Sequence, residues 1–141
     1  MSRKRNIDDL TAAGNVIYVN RKFGVDHDSR WTNKGDRVRG PFHLLKMGCS
    51  YHESDLPVAL KRESKRLSLN LSLATAFEGA HYASNGWNGT DAVVAFGSSF
   101  AHPVGGRRVV YLWRRGASRG LTLYRAGRRW HASIAVLCVC E

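Results

Sequence analysis

Over the last third of the chain apolar and polar residues alternate with a period of two, and the pattern predicts strands. Residues 91–96 (DAVVAF), 107–115 (RRVVYLWRR) and 121–125 (LTLYR) each read as one, with 97–106 and 116–120 as glycine-bearing connections. Along 107–115, Arg108, Val110, Leu112 and Arg114 share one face, while Arg107, Val109, Tyr111, Trp113 and Arg115 share the other. The first row offers its aliphatics to a core. The second presents an open surface of arginine and aromatic residues. Residues 131–140 (HASIAVLCVC) are apolar enough to be buried, as a strand or a short helix.

Upstream, 15–23 (NVIYVNRKF) and 42–49 (FHLLKMGC) have strand character. Ser54 as N-cap, Asp55 in the first turn and Pro57 just inside predict a helix running on through VALKRESKR. The run 67–77 (LSLNLSLATAF) fits two periods. Leu67, Leu69, Leu71 and Leu73 alternate as in a half-buried strand, whereas Leu67, Leu71 and Ala74 would share a helical face; the alternation is slightly the stronger signal. SNGWNGT reads as a turn that exposes Trp87. Together these elements predict an α+β fold, a small antiparallel sheet with one or two helices packed on one face.

A chain of 141 residues suits one domain, 1–141, with 1–14 as a flexible basic arm. A hydrophobic fraction of 43% argues against disorder, and no apolar run approaches the roughly 20 residues of a membrane span. MSRKRNIDDL lacks an apolar stretch, so no secretory signal is expected, and the sequons at Asn70 and Asn88 are read as chance. The three cysteines are expected as thiols.

Charge changes the picture most. The formal net charge is +11 and the pI near 10.2, a field that concentrates polyanions and makes nucleic acid the leading partner class. Residues 107–130 hold Arg107, Arg108, Arg114, Arg115, Arg119, Arg125, Arg128 and Arg129 with no acid and no lysine; the nearest acids in sequence are Asp91 and Glu141. Their counter-charge is therefore expected from a partner. Lys61, Arg62, Lys65 and Arg66 make one helix face basic, and the cluster SRKR at 2–5 would suit nuclear import or phosphate. An anionic membrane fits less well, because most of the arginines lie in strand-like sequence. Trp31, in a polar, turn-rich segment, either folds onto the core or faces a flat partner such as a base pair.

Other chemistry finds little support. Cys49, His52, Cys138 and Cys140, with His131 to spare, sketch a zinc site, but CxC is not a common structural half-site. His81, His102, Asp91 and Glu78 are residue types that could supply acid/base groups to a nuclease, yet no catalytic motif organises them. No catalytic residue, metal ligand or cofactor is assigned.

The succession of a tryptophan-bearing segment (SRWTNKGD), a basic strand (FHLLKMGCSY), a helix opened by an acidic turn (ESDLPVALKRE), an arginine-rich hairpin and a buried end resembles the small RNA-silencing suppressors of tombusviruses and aureusviruses. The likeness covers residues 30–66 and 107–140; 67–106 has no counterpart. It implies a homodimer that lays a sheet on duplex RNA in the host cytoplasm or nucleus and sequesters small duplexes, without membrane association. On this resemblance Trp31 would stack on duplex ends, and Lys46 and the hairpin arginines would contact the backbone. Lys34 stands where tombusvirus members carry a second tryptophan, which implies less length-selective binding. The candidate RNA-binding residues are Trp31, Lys34, Lys46, Lys61, Arg62, Arg107, Arg108, Tyr111, Trp113, Arg114, Arg115, Arg119, Arg125, Arg128 and Arg129. A small viral coat or RNA-packaging protein is the alternative, and a basic nuclease the third reading.

Overall fold

The structure, a computed structural model, describes residues 38–88, 91–101, 106–115 and 118–141. The arm 1–14, the predicted strand 15–23, Trp31, Lys34 and His102 lie outside the described residues. Six strands form one mixed sheet: β1 (Phe42–Leu45), β2 (Leu71–Leu73), β3 (Val93–Ala101), β4 (Arg107–Arg115), β5 (Ser118–Arg125) and β6 (Ala135–Cys140). Their order is β1-β6-β3-β4-β5, with β2 pairing on β6 as well. The helices are α1 (Leu56–Leu67), entered through a 3-10 turn at Glu53–Asp55, and α2 (Ala76–Asn85).

The α+β class is as the periodicities predict, with two differences. First, β3 and β6 run parallel, Val93 opposite Ala135 and Val94 opposite Val136, while the other pairings are antiparallel. Second, the helices lie on opposite faces of the sheet. One core joins Ala76, Ala80 and Ala83 of α2 to Val93, Ala95, Val110, Leu112, Leu121, Leu123, Leu137 and Val139. The other joins Leu56, Ala59 and Leu60 of α1 to Val94, Phe96, Val109, Val136 and Cys138. The parity of these positions alternates between the cores, so both faces of the central strands are buried. That is why 135–139 is continuously apolar and forms a strand: a strand covered on both sides has no polar face to alternate.

The ambiguous run 67–77 resolves into three pieces. α1 ends at Leu67, where Ser68 turns left-handed (φ 54°); Ser68 N–H donates to Lys65 O and Leu69 N–H to Ser64 O, the paired bonds of a Schellman stop. Leu69 is left exposed, and 71–73 pairs with β6. Thr75 then opens α2 through a reciprocal cap: its Oγ1 accepts from Glu78 N–H and Glu78 Oε1 from Thr75 N–H. At the start of α1 the cap also differs from the expected Ser54, because the Asp55 carboxylate accepts from His52 N–H at 2.9 Å.

Candidate nucleic-acid interface

The β4–β5 hairpin forms with β4 as predicted and β5 starting at Ser118 instead of 121, because 118–120 pair back on β4, and its register decides where the arginines go. Arg108 faces Arg125, Val110 faces Leu123, Leu112 faces Leu121 and Arg114 faces Arg119. Two arginine pairs thus bracket two buried aliphatic pairs, with Arg108 and Arg114 about 20 Å apart at the rise of an extended strand. Like charges directly opposite in a ladder are destabilising. Arg125 is exposed and Arg108 half-buried; burial first and then the facing Arg125 charge pull the Arg108 guanidinium below its ordinary pKa.

The opposite row is not the open aromatic surface that alternation predicts. After β5 the chain must return from the sheet edge to β6, and residues 126–134 cross this face on the way, burying Ala126, Trp130 and Ile134 against Val94, Phe96 and Val109. Trp130 is fully buried, its indole N–H donating to Ala126 O at 3.2 Å. Tyr111 packs beside it at 5.8 Å between ring centroids and is half-buried; burial pushes its phenol pKa up, with the Arg128 charge acting the other way. Trp113 is half-buried opposite Gly120. A base could not lie flat along this row.

Arg107 is not left for a partner either. Its guanidinium makes a forked pair with Glu53, at 2.9 and 2.6 Å, and this holds its pKa up. Glu53 is far away in sequence, which is why local counting missed it. Every acid among the described residues is engaged in this way: Glu53 with Arg107, Asp55 at the start of α1, Glu63 with Arg66 and His43, Glu78 and Glu141 with Arg39, and Asp91 with Asn88. Further cations stand on the described surface.

These cations are distributed in three places. On α1, Lys61, Arg62, Lys65 and Arg66 are exposed, while Glu63 is turned toward His43. Lys65 and Arg66 also sit in the last turn, where the helix dipole itself favours cations, so they point less sharply to a ligand. Lys46, just past β1, joins Arg62 and Arg66 around a groove of about 460 Å³ whose apolar lining includes Leu45, Met47, Val58 and Ala59. The third place is the turn after β5, where Arg129 is exposed and Arg128 lies over the Tyr124 ring at 4.5 Å. Arg115 pairs with Ser118 near the hairpin end. Tyr124 was no sequence candidate. Its partner Arg128 is four residues away through a turn, a contact that strand periodicity does not encode.

The other sketched chemistry is not assembled. Cys138 is buried, and burial raises its thiol pKa to about 12, whereas Cys49 is exposed; among the described residues no group of His, Cys, Asp or Glu could hold a metal. Trp87, expected in an exposed turn, is buried and donates its indole N–H to Asp91 O at 2.7 Å. Among the described residues no helix is long and apolar enough to cross a membrane. In comparisons with protein-family models, curated proteins and solved structures, nothing matches the chain.

Proposed function

We propose that the protein binds double-stranded RNA through its phosphates and, by holding it, withholds it from a host silencing pathway. The observation that carries the binding clause is the facing of Arg108 by Arg125 and of Arg114 by Arg119 in one ladder. Facing Arg125, Arg108 carries a like-charge cost in the free protein that is relieved when an anion sits between the two, since a guanidinium fork matches phosphate oxygens. Two pairs about 20 Å apart suit a rigid ligand whose phosphates keep fixed separations. The roofing of Tyr111 by 126–134 speaks against a single-strand stacking platform on that row and favours readout of duplex shape. The silencing clause follows from the resemblance of the sequence to small viral suppressors. A homodimer completes the proposal, since among the described residues β1 and β5 end the sheet and an edge strand can pair with a second copy.

Gel shifts with single-stranded RNA, duplex RNA and duplex DNA at fixed salt test the ligand class, with duplex RNA expected to bind most tightly. Replacing Arg108 and Arg125 together with alanine should reduce the slope of log K against log salt by about 0.9, the contribution of the one phosphate the pair would share. A slope equal to that of the unaltered protein would move the interface elsewhere.

A further inference from the structure

We infer that Tyr124, Arg128 and Arg125 form a site for one unpaired nucleotide, its base stacked on the Arg128 guanidinium and its phosphate held by Arg125; this rests on the RNA-binding reading above. Tyr124 is 40% exposed on the edge strand β5, an unusual place for a large ring. Arg128 lies over it at 4.5 Å and over the Trp130 ring at 5.3 Å. Its Nε donates to Arg129 O at 3.3 Å, which helps to fix the side chain. Beneath, Trp130 is fully buried and Tyr111 lies 5.6 Å from Tyr124 between centroids, so the stack stands on a packed base.

A guanidinium resting on aromatic rings presents its other face to solvent as a flat, weakly hydrated cation, the surface on which an unpaired base stacks. The carboxylates among the described residues are engaged elsewhere, so none of those competes for it. Arg125 follows Tyr124 directly, so the two side chains leave opposite faces of the same edge strand. A nucleotide lying across that edge meets the stacked plane on one side and the Arg125 charge on the other. A base within the helix cannot reach the plane in this way, and a terminal pair cannot also lie across the strand edge; the ligand is a single-stranded extension of a duplex.

The test is a short RNA duplex carrying one 3′-unpaired 2-aminopurine nucleotide, compared with the same duplex made blunt. The full chain should bind the extended duplex about tenfold more tightly, with quenching of 2-aminopurine fluorescence. Arg128→Lys, which keeps the charge and removes the plane, should abolish both the preference and the quenching while the thermal melt stays that of the unaltered protein. Tyr124→Phe, which keeps the ring and removes only the hydroxyl, should retain the preference; its loss there would overturn the stacking account. Equal affinity for the two duplexes with unchanged fluorescence overturns this inference alone. A preference that survives Arg128→Lys overturns it too, and failure to bind either duplex removes the RNA-binding reading along with it.

Discussion

Glu78 is fully buried, and both of its oxygens are taken by Arg39: the Arg39 N–H and Nε donate to Oε2 at 2.8 and 3.0 Å, and Nη2 donates to Oε1 at 2.8 Å. The remaining nitrogen reaches Glu141 at 2.6 Å and Ser72 at 3.0 Å, so one guanidinium ties the chain before β1 to α2, β2 and the end of β6. Burial alone would push the Glu78 pKa up; hydrogen bonds from Arg39 and Thr75 outweigh it and hold the carboxyl below its ordinary value. Glu78→Ala strands the Arg39 charge and should cost about 3–5 kcal/mol, read as a lowered denaturant midpoint. Glu63 behaves similarly at the surface, where Arg66 first and His43 second lower its pKa from 4.5 to about 2. A carboxyl whose folded pKa is depressed contributes stability that is present above its unfolded value and lost as pH falls through the folded one. The melting temperature should therefore drop between about pH 4.5 and 2, and Glu63→Gln should flatten part of that fall; an identical profile for the variant would remove Glu63 from the account. Sequence reading named Glu78 only as a possible acid/base group. The spacing Thr75-x-x-Glu78 was the legible signal of its structural role, hidden under the alternating leucines.

At the scale of elements, close approach decides what the hydrophobic pattern leaves open. A Cβ on Gly97 would lie 2.4 Å from Ala74 O and 2.6 Å from Leu73 O, and Gly97 N–H donates to Ala74 O at 2.7 Å. β3 can only pass the end of β2 with hydrogen at that position. Gly97→Ala should cost roughly 1–3 kcal/mol or more, because the obstructing atoms are backbone and cannot rotate away. A thermal melt within a degree of the unaltered protein would show that β2 shifts freely. The hairpin 107–125 was legible from local alternation and a short connection, except that the ladder runs on through Gly120, Arg119 and Ser118, which the sequence reading gave to the loop. The covering of its Tyr111 row was not, since the cover arrives from 126–134 and from α1, distant partners that alternation along one strand does not reveal.

For the whole molecule, β6 is the organising strand, pairing with β1, β2 and β3, and its residues 135–139 are buried. Hydrogen exchange should find the amides of 136–138 among the slowest in the protein, and the exposed end of α1 near Arg66 much faster; comparable rates would mean that β6 is not the centre of the cooperative unit. The net charge of +11 acts at this scale too, as a long-range field, while the engagement of the described acids in local pairs leaves the excess on arginine and lysine.

The sequence by itself determined the centres of β3, β4 and β5, the helix after Asp55, the α+β class and the excess of positive charge. These depend on side-chain period, capping residues and composition, all of which are local. Only the tertiary structure decided that β6 runs parallel to β3, that the helices cover opposite faces, that Glu53 neutralises Arg107 and that Arg128 lies on Tyr124. Each of these is a contact between segments whose meeting depends on how the chain crosses the sheet. Periodicity tells a strand that one of its faces will be buried; what buries it is settled by topology.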